Sequence, residues 1–494
     1  AYADGENTDT MVAVSSDNGQ SWTTSLVNYF ADTTDEQKSG AASFIDPALA
    51  TDGETVYLLV DVFPGGVDGL SDCKEGTGYN EDGYLMLKWS GENSYDYDYY
   101  VGDFSEGYAP VLGTGGTDTG YAVDEHYNLY TVADGEYTAV AYPSAPSYGD
   151  GTFVPANVFY QNADFTVFPT SYLWLVKSTD YGQTWSAPQI LNADVKSDSE
   201  SFYGVGPGRG LVASDGTIYF SCYQHGGWDA FWGSNVEKSS LIYFTDGGDT
   251  WNRTDNLDNA NGGYGAYWSS ENQAVELNDG TIRMFFRNGR GTVCYADLNT
   301  NGSWDSPVSL ENTMASIGYQ HICSTCQVSA IHYSQTINGK EALLVSCPSV
   351  LNSRTNGNIF VFTVNEDNSL TAAYSYQVNT GAFQYSCLTE LSDGSIGILY
   401  EDGAASITYE NIAIDVIAPG ATIGNGETEA PQVTDKNGNV LDGTSVSLTT
   451  DGQPHTISVN VADDKALNAV SGNSGVVAVG VAQNDVTLIP VSAG

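Results

Sequence analysis

STDYGQTW, Ser178 to Trp185, recurs along this chain and sets how the rest of it is read. SSDNGQSW, Ser15 to Trp22, repeats its pattern Ser-x-Asp-x-Gly-x-Ser/Thr-Trp. FTDGGDTW, Phe244 to Trp251, keeps all of it but the first Ser, and ADLNTNGSW, Ala296 to Trp304, is a degenerate copy with an insertion. These residue types suit a tight bend between two strands: the Asp carboxylate accepts turn amides, Gly supplies a positive φ, and Trp packs back underneath. Each copy follows an apolar run (DTMVAVSS, LWLVKS or LIYF), so the bends join β-strands.

Working outward, the chain is almost wholly β. Short apolar runs such as TVYLLVDVF, GTIYFSCY, GTIRMFF and ALLVSC alternate with Gly, Asn and Asp turns, and helical periodicity is scarce. With 494 residues, 41% of them hydrophobic and 12% aromatic, the chain can bury a sizeable core and is not globally disordered. Its net charge of −47 comes from 62 acidic against 15 basic residues. Such a surface repels nucleic acid and anionic membranes, whose binding rests on Lys and Arg. No apolar run reaches the ~18 residues of a membrane span, and the opening AYADGENTDT has no leader pattern. The seven cysteines form no dense disulfide framework. Cys323-x-x-Cys326 is half a zinc pattern with no second half, so buried thiols are expected there and no metal.

The octapeptides are Asp-boxes, and the chain resembles the Asp-box β-propellers. Asp180, Asp246 and Asp297 stand 66 and 51 residues apart, a spacing that fits four-stranded blades with their loops. Asp17 and Asp180 are 163 residues apart, too far for two ordinary blades. The excess, at about 71–168, is rich in Gly, Tyr and Asp and is expected to be a β subdomain inserted in a propeller loop. Its tyrosines either line a glycan surface or are plain strand residues. The propeller is expected over residues 1–417, six-bladed with N-terminal strands of the first blade missing. A polar linker at 418–428 then leads to an immunoglobulin-like β-sandwich at 429–494, short enough to be cut at its C-terminal end.

SSENQAVELNDGTIRMFFRNGRG, Ser269 to Gly291, places Glu271 at the start of one short strand and Arg287 at the end of the next, joined by the turn LNDG. A hairpin of that length holds the two charges near one end of adjacent strands. The chain has only six arginines, so one beside the apolar MFF calls for a reason. By itself the pair is either a solvated hairpin end or part of a site.

FIDPAL, LWLVKSTDYGQTW, GVGPGRG, SSENQAVELNDGTIRMFFRNG, CQVSAIHYSQTINGKEALLVSCPSVLNSRTNG and FQYSCLTELSDGSIGILYE carry a further resemblance. Over about residues 1–415 the chain is similar to bacterial exo-α-sialidases, most to the clostridial large-sialidase subgroup with an inserted β domain. The resemblance implies a retaining glycosidase with a tyrosine nucleophile, acting on terminal sialic acid of glycoproteins, glycolipids or mucins. It makes Tyr385 the nucleophile and Glu271 the base that takes its proton. Arg287 and Arg354 become the second and third arginines of a clamp on the substrate carboxylate, for which bidentate guanidinium forks are suited. Glu401 becomes the carboxylate that orients the first arginine, and Asp46 bounds the pocket near the N-acyl arm of the sugar. Arg209 is read as a loop brace, and His126, His225, His321 and His332 as structural or surface residues. Neither metal nor organic cofactor is called for. A monomer is expected, outside the cell, secreted or attached to the surface through further C-terminal modules.

The family's first arginine and its acid/base aspartate precede the first Asp-box, in Phe/Tyr-Arg-Ile-Pro and Asp-x-Arg segments that residues 1–14 do not contain. Asp4 is too near the box to take the acid role. Both residues are expected to lie upstream of Ala1, and a polypeptide of residues 1–494 alone is expected to be nearly inactive. The rival readings are a non-catalytic sialoglycan-binding propeller, an intramolecular trans-sialidase, and an Asp-box glycosidase for neutral polysaccharides, which would not need Arg287 and Arg354.

Overall fold

The computed structural model describes residues 8–28, 30, 42–90, 96–143, 153–161, 163–229, 234–257, 269–288, 292–319, 326–351, 353–403, 406–425, 433–434, 455–459, 477–482 and 485–490. The chain divides into two compact units, Ala1–Thr422 and Ile423–Gly494.

Antiparallel sheets succeed one another along the first unit. The second sheet contains Ser43–Thr51, Val56–Phe63, Tyr172–Ser178 and Gln189–Ile190; the third, Phe202–Val205, Ile218–Asp229, Ser234–Phe244 and Asn252–Arg253. The fourth has Asn272–Glu276, Ile282–Phe286, Cys294–Asp297 and Val308–Ser309; the fifth, Ser329–Ile337, Lys340–Val350, Ser353–Val364 and Leu370–Ala382. In the second to fourth sheets an Asp-box joins the third strand to the fourth. The first box joins Thr10–Val14 to Thr23–Asn28, which pair as a two-stranded sheet. The sixth sheet is Ser386–Glu390, Ile396–Gly403 and Ser406–Ile412. This is a six-bladed β-propeller.

Apolar residues of consecutive blades face one another. Leu59 and Leu175 pack with Phe220 and Ile242 between the second and third sheets, and Val275 and Phe285 with Leu343 and Phe360 between the fourth and fifth. Side chains and backbone tie neighbouring blades to one another. Gln273 Nε2 donates to the Arg209 carbonyl at 2.7 Å, Gln327 Nε2 to the Pro207 carbonyl at 3.0 Å, and the Leu388 amide to Ser329 Oγ at 3.0 Å.

The boxes fold as their chemistry dictates. Asp180 Oδ1 accepts the Thr184 amide at 2.8 Å, Thr184 Oγ1 donates to Asp180 Oδ2 at 2.6 Å, and Ser178 Oγ accepts the Gly182 amide at 2.8 Å. Asp17, Ser21, Ser15 and Gly19 repeat this set. In the degenerate copy the aspartate has another task. Asp297 pairs with Arg283 at 2.6 Å, and Asn301 Oδ1 holds the turn by accepting the Ser303 amide at 3.1 Å.

The insertion leaves the second blade at Phe63 and returns at Tyr172, next to Val62 in the ladder, so the two blade strands stay paired. Most of it is one seven-stranded sheet in the order Glu136–Ala139, Leu129–Ala133, Thr117–Asp124, Tyr108–Gly113, Tyr99–Val101, Met86–Trp89 and Phe165–Val167. Leu87, Val101, Val111 and Val123 join Phe30, Phe44 and Trp174 in one core. At the other end of the first unit, Ala418 is buried and the Asn338 amide donates to the Thr422 carbonyl at 2.8 Å. The described strands of the second unit include an antiparallel sheet in the order Val433–Thr434, His455–Val459, Asp485–Pro490 and Val477–Ala482; residues 426–432 and 435–454 lie outside the described residues.

Candidate active site

Antiparallel pairing brings the start of a blade's first strand beside the end of its second. In the fourth blade the ladder runs from Glu276↔Ile282 to Asn272↔Phe286, and the Arg287 amide then donates to the Glu271 carbonyl at 2.9 Å. The turn closes because Gly280 takes φ +86° and Asp279 Oδ1 accepts the Thr281 amide at 2.9 Å. In the sixth blade Ser386 faces Tyr400, and the Glu401 amide donates to the Tyr385 carbonyl at 3.0 Å. Arg354 begins the third strand of the fifth blade, and Asp46 sits in the first strand of the second. Asp46 has φ +55° where the ladder shifts register between Ile45 and Ala48. Such a bulge re-aims side chains at a strand end.

All six of these side chains line one cavity of about 840 Å³. The Tyr385 hydroxyl hydrogen-bonds Glu271 Oε1, and Arg287 Nη1 pairs with Glu271 Oε2 at 2.5 Å while standing 3.5 Å from the Tyr385 hydroxyl. Glu271 is only 2% exposed. Arg354 Cζ lies 5.3 Å from the centre of the Tyr385 ring, and its Nη1 donates to Gln384 Oε1 at 3.3 Å. Burial, with the Glu271 and Asp46 carboxylates, raises the Tyr385 phenol well above its usual range, against the pull of Arg287. Burial works against the charge of Arg287, yet Glu271 and Tyr385 outweigh it, so the guanidinium stays charged. The resting site is thus a neutral phenol held to a carboxylate, with two guanidiniums beside it.

A further acid shares the cavity, Glu237, on the third blade's strand Ser234–Phe244. Burial raises its carboxyl and the Glu271 charge adds to this, while a Ser270 hydrogen bond and Arg287 oppose it. No motif marks Glu237 in the sequence, where it reads as an ordinary charge ahead of an apolar run. Asp61 lies opposite Ile45 in the ladder, beside Asp46. It is fully buried, with Oδ1 and Oδ2 at 2.9 and 3.1 Å from the Val205 amide, and a Cβ on Gly204 would stand 2.3 Å from it. An acid inside the apolar run TVYLLVDVF is the signal that could have singled it out.

The remaining sequence candidates fall elsewhere. Arg209 pairs through its backbone with Leu49. His332 Nε2 meets Glu341 at 3.0 Å, and His225 lies opposite Glu237 in the ladder. Cys326 is buried, while Cys323 and His321 lie outside the described residues.

Residues 156–398 match the model of a BNR repeat-like domain. The chain is 32% identical over 390 residues to an anhydrosialidase of Macrobdella decora, an alignment that covers 74% of this chain and 48% of that protein. It is 31% identical over 383 residues to sialidase B of Streptococcus pneumoniae, with 74% and 50% covered. The chain therefore spans about half the length of these curated relatives. In three dimensions it is similar to the intramolecular trans-sialidase of Ruminococcus gnavus, solved with oseltamivir carboxylate: 31% identity, TM-score 0.71, covering 84% of this chain and 90% of that one.

Proposed function

The chain belongs to the bacterial sialidase family, and from that premise we propose that it releases terminal α-linked sialic acid from glycoconjugates with retention of configuration. One observation carries this reading: Tyr385, Glu271 and Arg287 form a single hydrogen-bonded cluster in the cavity, with Arg354 against the tyrosine ring.

A phenol this far above its usual pKa is a weak nucleophile unless a base takes its proton as it attacks. In the first step Tyr385 Oη bonds to the anomeric carbon and its proton passes to Glu271 Oε1. The bond from that carbon to the leaving oxygen breaks with its electron pair. The departing oxygen takes a proton from an acid expected ahead of the first Asp-box. Arg287 and Arg354 hold the sugar carboxylate and set the anomeric carbon over the phenol, which a chain of net charge −47 must do locally. In the second step an acceptor hydroxyl attacks the same carbon and its proton passes to the acid that gave one up in the first step. The bond from that carbon to Tyr385 Oη breaks with its electron pair, and Glu271 returns the proton to the phenolate.

Water as the acceptor yields free sialic acid. The similarity to an anhydrosialidase and to an intramolecular trans-sialidase supports a second reading, in which a hydroxyl of the sugar itself closes on the anomeric carbon. The product is then one water lighter, so mass spectrometry separates the two.

The decisive assay is turnover of a fluorogenic sialoside by wild type, Tyr385→Phe and Arg354→Ala in a polypeptide that also carries the residues expected upstream. Both substitutions should remove most activity, Tyr385→Phe through kcat and Arg354→Ala mainly through KM. Equal turnover in all three would sink the reading. Residues 1–494 alone, run alongside, check the expectation that an arginine and an acid stand ahead of the first box.

A further inference from the structure

The inserted sheet carries a second cavity, of about 470 Å³. One face of this sheet is aliphatic where Leu87, Val101, Val111 and Val123 enter the core. Toward the other end of the same face the residues become aromatic. Phe165 pairs with Trp89, Leu87 with Tyr99, Tyr99 with Gly113, and Val111 with Tyr121, so Trp89, Tyr99, Tyr121 and Phe165 share that face. The Phe165 ring is 5.3 Å from that of Tyr99 and 5.2 Å from that of Tyr121, both edge-on. Gly113 lacks a side chain above Tyr99, and Trp89 is 38% exposed at the margin. The rim is polar. Asp98, Thr117, Asp118 and Thr119 border the opening, and Asp118 Oδ1 is fixed by the Gly120 amide at 2.9 Å.

Aromatic rings below and carboxylates and hydroxyls around the edge are the groups that receive a sugar ring: its C–H face packs on the rings and its hydroxyls donate to the acids. The same acids, on so acidic a chain, repel a carboxylate. We propose that this cavity binds a neutral hexose or N-acetylhexosamine residue of a glycan. It shares no residue with the cavity around Tyr385, and its occupation does not depend on the reaction assigned there.

The test is calorimetric titration of the full chain with lactose, N-acetyllactosamine and N-acetylglucosamine, with galacturonate as the charged counterpart. Saturable binding of at least one neutral sugar is expected, and none of galacturonate. Trp89→Ala should weaken that binding about tenfold, the size expected for one aromatic contact. Gly113→Leu should abolish it by filling the cavity. A Cβ there stands 3.5 Å from the Tyr99 ring, an ordinary contact, so this variant should keep the wild-type melting temperature. No binding of any neutral sugar, equal binding of galacturonate, or binding indifferent to both substitutions in folded protein overturns the proposal.

Discussion

Glu271 serves two neighbours at once, accepting from the Tyr385 hydroxyl and neutralising Arg287. Glu271→Gln keeps the shape, but an amide does not take the phenol's proton and leaves the guanidinium without its counter-charge. Turnover should fall about 10²–10⁴-fold, mostly in kcat, as is usual for loss of a general base. A fall confined to KM would contradict a base role. The spacing that joins Glu271 to Arg287 is legible because a hairpin is local: one turn sets the register. Tyr385 and Arg354 come from two other blades, and only motif resemblance links them to Glu271 in the sequence. Glu237 is invisible there because its place in the cavity depends on how the third blade lies against the fourth. Asp61 offers a cleaner test of burial. Its carboxyl is raised well above its usual range, first by burial and then by Asp46, so the folded state holds a proton that the unfolded chain releases above about pH 4. The stability this proton confers is full below that pH and is lost as pH rises toward the folded value. Asn does not titrate, and its carbonyl oxygen can still accept the Val205 amide. The Tm of Asp61→Asn relative to wild type should therefore climb from pH 4 to pH 7; a constant difference would mean that Asp61 does not keep its proton.

At the scale of the element, the Asp-box shows what a repeat predicts and where it stops. In the two full copies the serine or threonine hydroxyl and amide at the fourth place after the aspartate, with the serine before it, pull Asp17 and Asp180 down to about 2. A carboxylate depressed in the fold stabilises it above the unfolded value near 4, and that contribution is lost as pH falls toward 2. Asp180→Asn should lower Tm at neutral pH, with the gap to wild type closing between pH 4 and pH 2. A gap unchanged across that range would show that the box acts without its charge. The turn was readable from the octapeptide, whereas the changed role of Asp297 was not, because Arg283 lies two strands' worth of chain before it. Arg283 is 1% exposed, pressed 4.0 Å from the Tyr295 ring and bound by Asp297 and the Asn368 carbonyl. Asp297→Ala therefore strands a buried guanidinium and should cost about 3–5 kcal/mol in denaturant unfolding, as breaking buried pairs does. A cost no larger than that of Asp17→Ala would remove the distinction between the copies.

At the scale of the molecule, a propeller is held where its first and last sheets meet, and residues 8–28 touch both the second and the sixth blade. The segment touches the second blade through Thr8, whose carbonyl accepts the Phe44 amide at 2.9 Å and whose hydroxyl donates to the Phe44 carbonyl at 2.6 Å. It touches the sixth blade through the first box: Trp22 stands edge-on to Tyr409 at 5.4 Å, and the Tyr409 hydroxyl donates to the Asn18 carbonyl at 3.5 Å. This contact explains why Trp22 is 44% exposed while Trp251, in the third copy, is 6% exposed: its neighbour is a single tyrosine of the closing blade rather than a blade interior. Nothing in the octapeptide tells the two tryptophans apart, since the difference lies in which sheet comes next around the ring. Gly19 and Gly280 separate local strain from closure. Both need positive φ, +84° and +86°, so an added methyl costs each about 1 kcal/mol in backbone strain. Around Gly280 a Cβ meets nothing within 4 Å, whereas at Gly19 it falls 2.1 Å from the Tyr409 ring. Gly19→Ala must push the closing tyrosine aside and should cost about 1–3 kcal/mol more than Gly280→Ala. Tyr409→Ala removes that clash, so the double variant Gly19→Ala with Tyr409→Ala should cost less than the two single losses added together. Additive losses, or equal losses for the two glycines, would mean that the ring is not closed through Tyr409.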